Sequence, residues 1–161
     1  MMPIVISDVA TPARLRAGET LIRIALAGTA LFIVTASTAV FVKPIRAAAM
    51  VVAGTLFFVG ISAFFAAYFR AVARSRGEVL GVGGIYFLSG SAPRAVQIKL
   101  LGAVAAQSAV GLATASLRPY TSLAFGMLVP MFGVGIAGLW GALYGKYPER
   151  LGPSASLADD D

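Results

Sequence analysis

Four long apolar runs predict an all-α integral membrane protein, with four transmembrane helices arranged as two hairpins. The 161-residue chain is 58% hydrophobic and only 12% charged. A soluble domain of this size buries too little surface to hide so many apolar side chains. No Asp, Glu, Lys or Arg lies inside any of the four runs, and Lys or Arg stands beside each of them. The composition therefore excludes an ordinary soluble helical domain.

Each run is close to the roughly 20 residues that a helix needs to cross a bilayer. The predicted spans are 24–42, 47–69, 100–117 and 121–144. The turns "KPIR" and "RP" join the first pair and the last pair of spans. Pro130 is expected to kink the fourth span. We predict one transmembrane domain over residues 1–150, followed by a disordered acidic tail, "LGPSASLADDD", at 151–161.

Lys and Arg are unevenly divided between the two ends of these spans. The N-terminal segment, the 70–99 connection and the C-terminal segment hold ten of them, whereas the two short turns hold three. The positive-inside rule then places both termini and the connection in the cytoplasm of a bacterial inner membrane. The net charge of +6 is attributed to contact with anionic membrane lipids rather than nucleic acid. The N-terminus lacks the order of a secretory signal, because its apolar start precedes its arginines.

The segment "EVLGVGGIYFLSG" at 78–90 is apolar but too short to span a bilayer. Three interpretations stay open: an interfacial segment held by neighbouring arginines, a re-entrant turn, or a docking surface for a partner. A plain apolar cover over the cytoplasmic end of the bundle is the structural alternative. The spacing of Arg74 and Glu78 predicts an ion pair on a continuing helix. The candidate membrane or partner contacts are Arg70, Arg74, Arg76, Glu78, Tyr86, Phe87 and Arg94.

Small residues at four-residue spacing predict how the helices pack, because close backbone approach drives association in lipid. The fourth span carries Gly133, Ala137, Gly141 and Gly145, and the third carries Ala103, Gln107 and Gly111. We expect the third and fourth spans to pack through these faces, although such a stripe is also suited to binding a partner protein. Gln107 is the single amide inside a span, and an interhelical hydrogen bond is its favoured role over substrate contact.

Catalytic chemistry finds no support in the sequence. The chain has no Cys and no His, and its carboxylates are scattered or terminal, so no nucleophile–base pair, metal set or carboxylate pair is recognisable. The glycines of "LGVGGIYFLSG" do not match a dinucleotide-binding motif, since Tyr86 stands in place of its third glycine. We therefore expect a non-enzymatic protein with no catalytic residue, cofactor or metal site.

Two stretches carry a family resemblance: "AYFRAVARSRGEVLGVGGIYFLSGSAPRAVQ" and "SLRPYTSLAFGMLVPMFGVGIAGLWGALYGKYPER". They resemble small four-span membrane proteins of actinobacteria, a group that includes an accessory subunit of the mycobacterial Mce lipid and fatty-acid importers. The resemblance covers roughly residues 16–150. It implies an inner-membrane partner of a permease and ATPase complex, and it carries no site residues with it.

The leading hypothesis from the sequence is a non-enzymatic accessory subunit of a larger membrane complex. The main alternative is a small self-assembling transporter of an uncharged or lipidic substrate, because the spans lack the charged group that ion-coupled transport uses. A cell-envelope scaffold that recruits a soluble partner through the cytoplasmic connection is a third hypothesis.

Overall fold

The computed structural model describes residues 12–79 and 81–148, and all regular elements in these ranges are helices. They are α1 (Pro12–Phe41), α2 (Ile45–Arg74), α3 (Val82–Tyr86), α4 (Arg94–Leu117), a 3₁₀ helix (Ser122–Leu128) and α5 (Pro130–Tyr144). Four segments are long and apolar enough to cross a membrane: Gly18–Phe41, Ile45–Arg74, Arg94–Leu117 and Ser122–Tyr144. The predicted all-α, four-span class is confirmed. The predicted tail at 151–161 lies outside the described residues.

The bundle has two distinct ends. We call the end with the 75–93 connection and the C-terminus of α5 the loop end, and the end with the turns at 42–44 and 118–121 the turn end. α1, α2 and α4 extend past their predicted spans at the loop end, because Arg, Glu and Lys favour helix wherever water solvates them. On α1, for example, Arg23 and Glu19 are exposed and form an ion pair of 2.8 Å.

The fourth span changes helix type partway across. A 3₁₀ helix covers its first part, and α5 begins at Pro130. Sequence reasoning placed a kink at this proline, and the structure places the proline in the first turn of a new helix, where its missing N–H costs no intrahelical bond. The 3₁₀ part lies close to α4, since a Cβ on Gly111 would be 2.7 Å from the carbonyl oxygen of Gly126.

α5 is the central helix of the bundle. Half of the fourth span is buried within the protein, against 28–33% of each other span. Its buried residues are Phe132, Gly133, Gly135, Ile136, Ala137, Gly138, Trp140, Gly141 and Ala142. The helix packs against α1, α2, α3 and α4. The glycines allow this arrangement because they let several neighbours approach one backbone.

The closest helix crossing joins α2 and α5 at a pair of glycines. A Cβ on Gly135 would overlap the carbonyl group of Gly60, and a Cβ on Gly60 would lie 2.5 Å from the backbone nitrogen of Phe132. The Phe132 ring in turn packs over Gly28 of α1, where a Cβ would come within 2.7 Å of the ring. The two helices therefore meet backbone to backbone, and the first aromatic of α5 fixes them against α1.

The fold predicts which parts of the chain lie on the same side of the membrane. Single cysteines at Lys43 and Arg118 should react with an impermeant maleimide from one side, and cysteines at Arg76 and Lys146 from the other. The chain has no native cysteine, so each label reports one position. Labelling of intact and permeabilised cells measures this. Labelling of Lys43→Cys and Arg76→Cys from the same side would contradict the four-span arrangement.

Candidate functional site

The segment 78–90 folds against the loop end of α5. Its short helix α3 places Ile85 and Tyr86 inward, each 7% exposed, and Leu88 follows with its side chain fully buried. Val79, Val82 and Phe87 lie on its outer side and are more than half exposed. The segment is therefore a cover on the bundle with one packed side and one free apolar side. The free side keeps the interfacial and docking interpretations open.

Tyr86 is the main anchor of this cover. Its ring stacks on Phe64 of α2 at 4.6 Å between centroids, and its hydroxyl donates to the Phe64 carbonyl oxygen at 3.3 Å. A Cβ on Gly138 would overlap the Tyr86 ring, and one on Gly141 would overlap the carbonyl of Ile85. Any larger residue at these two positions of α5 would therefore clash with α3.

Arg74 joins the end of α2 to the end of α5. Its guanidinium donates to the carbonyl oxygens of Ala142 at 2.8 Å and Gly145 at 3.2 Å. It also donates to Glu78 at 2.8 Å, so the predicted pair is present, although α2 ends at Arg74 and Glu78 lies beyond the helix. The pair is partly buried, with side chains 27% and 29% exposed. A positive charge at carbonyl groups that end a helix is favourable, and Arg74 therefore caps α5.

Tyr147 completes the cap. The Arg74 guanidinium carbon lies 5.2 Å from the centroid of its ring, and its hydroxyl lies 3.1 Å from the carbonyl oxygens of both Gly84 and Gly141. Burial raises the pKa of the Tyr147 phenol, although a hydrogen bond with Ser91 and the charge of Arg74 act in the opposite direction. The phenol stays neutral near pH 7 and can donate to either carbonyl.

The remaining predicted contact residues face away from this cap. Arg70, Arg76, Arg94 and Phe87 are exposed. None of the three arginine side chains forms a hydrogen bond or ion pair with another described residue. Their contact with lipid headgroups or a partner stays a prediction, and the fold does not gather them into one site.

The predicted packing stripe of the fourth span serves two neighbours rather than one. Gly133 meets α4, where a Cβ would lie 2.6 Å from a methyl carbon of Val104 and 2.7 Å from the side-chain oxygen of Gln107. Gly141 instead meets α3, and a Cβ on Gly145 would lie 2.8 Å from Tyr147. On the third span, Ala103, Gln107 and Gly111 are all buried, and Ala137 is buried within α5.

Gln107 packs against the fourth span at Gly133, as the spacing suggested, but its hydrogen bond joins it to α1. Its amide nitrogen donates to the Thr29 hydroxyl of α1 at 2.6 Å, and that hydroxyl donates to the Ala25 carbonyl oxygen at 2.7 Å. The Gln107 side chain is fully buried. Its amide oxygen has no hydrogen-bond partner among the described residues. This geometry joins α1 to α4 inside the membrane.

The outward side of α4 is richer in small residues than that of α2. Its small exposed residues along the span are Gly102, Ala105, Ser108, Ala109, Ala113 and Ser116, and the larger side chain of Leu112, 58% exposed, lies among them. We call these six residues the α4 small face. The outward side of α2 instead presents Phe58, Phe65 and Phe69, each more than half exposed. Large apolar side chains suit contact with lipid, and small ones suit a second helix.

Sequence reasoning missed the stripe on α2 that packs against α5. Its buried residues are Ala49, Ala53, Leu56, Gly60, Ala63, Ala67 and Ala71. They recur every three or four positions, which is the spacing of one helix face. The signal was therefore present in the sequence, although it did not identify the partner helix.

No family model matches the chain, and neither a curated protein nor a solved structure matches it significantly.

The cap on α5 makes Arg74 more important for stability than its neighbour Arg70. Arg74→Ala should lower the free energy of unfolding by about 2 kcal/mol, because hydrogen bonds to a charged group are lost and carbonyls at a helix end lose their donor. Arg70→Ala, at an exposed site on the same helix, should change it by less than about 0.5 kcal/mol. Fluorescence of the single tryptophan, Trp140, reports unfolding in detergent. Equal effects of the two substitutions would show that Arg74 does not cap α5.

Proposed function

We propose that this protein is a non-enzymatic accessory subunit of a larger inner-membrane complex, and that the α4 small face is its main contact with that complex. The observation that supports this is the contrast between the outward sides of two membrane-spanning helices. α2 offers phenylalanines to its surroundings, whereas α4 offers mostly glycine, alanine and serine, with Leu112 as the large side chain among them.

The α4 small face favours a helix over lipid for a physical reason. Lipid chains are as apolar as leucine, so helices associate in the membrane through close packing rather than through a hydrophobic drive. Small side chains permit this close packing. The Ser108 hydroxyl already donates to the Val104 carbonyl oxygen at 2.9 Å, so recognition through this residue rests on shape. α4 is also the least apolar of the four spans.

The loop end supplies a second, polar contact. Arg70, Arg76 and Arg94 are exposed at this end of the bundle, which also carries the 78–90 cover. With the loop end in the cytoplasm, as the positive-inside rule favours, these arginines face the compartment that holds the ATPase of an importer. The complex we propose is a lipid or fatty-acid importer of the Mce type, with a permease against the α4 small face.

A bulky residue on the α4 small face tests the proposal. Ala109→Trp should abolish recovery of stoichiometric membrane partners when the tagged protein is purified in mild detergent from its native membrane. Val51→Trp is the matched control, because Val51 is 63% exposed on α2 and both positions lie about two helical turns from the turn end. Mass spectrometry of the bound proteins is the readout.

Recovery of a permease and an ATPase with the wild type and Val51→Trp, but not with Ala109→Trp, is the expected result. Recovery of the wild-type protein alone, as a defined homo-oligomer, would contradict the accessory role and favour a self-assembling transporter. Loss of partners with both substitutions would contradict the assignment of the contact to α4.

A further inference from the structure

A groove of about 910 Å³ opens at the loop end between α1, α4 and α5. Its volume lies within the range of roughly 300–1,000 Å³ that small-molecule sites occupy. It lies on a different part of the surface from the α4 small face, and it is absent from the function proposed above.

The wall of the groove changes from polar to apolar with depth. Its mouth carries the charged residues Glu19, Arg74, Glu78 and Lys146. Farther from the loop end, Ile22 of α1, Val96 of α4 and Trp140 of α5 form an apolar floor. Trp and Tyr side chains typically mark the membrane–water interface, and here Trp140 and Tyr144 line the groove. The gradient therefore matches a ligand with a polar head and an apolar chain.

The charge at the mouth identifies the head. Glu19 is paired with Arg23, and Glu78 with Arg74, each at 2.8 Å. Lys146 is exposed, and its ammonium forms no hydrogen bond or ion pair within the described part of the chain. Among the described residues at the mouth it is therefore the charge with no ion-pair partner, and an ammonium group favours an anion such as phosphate.

Trp140 provides a second, independent observation. Its indole nitrogen is buried and has no hydrogen-bond acceptor among the described residues. It lies 3.3 Å from the Cβ position of Gly18, which also lines the groove. Buried donors without an acceptor are rare, and a bound water, ion or ligand is one explanation of such a donor. From the graded wall, the free ammonium and this donor, we infer that the groove binds a membrane phospholipid, with its phosphate at Lys146, an ester carbonyl oxygen accepting from the Trp140 indole and one acyl chain along Ile22 and Val96.

Native mass spectrometry of the purified full chain in detergent tests this inference. Dioleoyl phosphatidylglycerol is the probe, and dioleoylglycerol, which has the same chains and no phosphate, is the comparison. We expect one phosphatidylglycerol to bind, with about tenfold weaker affinity in Lys146→Gln. Lys43→Gln removes the same charge at the turn end and should leave the affinity within about twofold. Inorganic phosphate should not displace the lipid, since the acyl chain contributes to binding.

The second test is a substitution that fills the groove with a larger side chain. Val96→Trp should abolish binding, whereas Val51→Trp adds the same bulk on α2 and should retain it. If Val96→Trp fails to fold, the comparison of Lys146→Gln with Lys43→Gln decides, because both side chains are exposed. Equal binding of dioleoylglycerol, displacement by inorganic phosphate, or equal weakening by the two lysine substitutions would overturn the proposal. These outcomes leave the α4 contact untouched, since none of them involves partner recovery.

Discussion

The backbone contact between Gly60 and Gly135 is the constraint on which the rest of the structure depends. A Cβ on Gly135 would overlap the carbonyl group of Gly60. In lipid, where apolar side chains gain little by leaving their surroundings, such close approach supplies much of the attraction between helices. It also fixes the position of α5 within the bundle, with Phe132 against α1 and Gly133 against α4.

The central position of α5 determines which groups pack against and cap its loop end. Gly138 and Gly141 leave room for α3, and Arg74 supplies donors to the carbonyl groups at the end of the helix. These contacts explain why an apolar segment lies beside so many arginines. Its inner side covers α5, one nearby arginine caps that helix, and the others remain exposed. Because α1, the 3₁₀ helix and α5 cover the inner side of α4, only its small outward face is left for another protein.

The sequence was sufficient for the fold class because hydropathy and span length depend only on runs of consecutive residues. It was not sufficient to identify the helix that each glycine contacts. The stripe from Gly133 to Gly145 is continuous in sequence, yet Gly133 meets α4 and Gly141 meets α3, because α5 is surrounded on several sides. In the same way, the burial of Gln107 followed from its place in a span, but its bond to Thr29 depends on how α1 lies against α4. The capping of α5 by Arg74 was not predicted, because the spacing of Arg74 and Glu78 indicated only a local ion pair. The groove is lined by residues that are far apart in the chain, so no local sequence pattern predicted it.

A double-mutant cycle of Gly60→Ala and Gly135→Ala tests the central contact most directly. Glycine to alanine within a helix normally stabilises it by roughly 0.5–1 kcal/mol. We expect each substitution instead to destabilise the protein by about 1–3 kcal/mol, because the added methyl group meets backbone. The double variant should lose less than the sum by about 1 kcal/mol, since separation of the helices by one methyl makes room for the other. Gly54→Ala, where a Cβ meets nothing within 4 Å, should combine additively with Gly135→Ala. Stabilisation by Gly60→Ala, or additivity of the Gly60 and Gly135 pair, would contradict a backbone contact between α2 and α5.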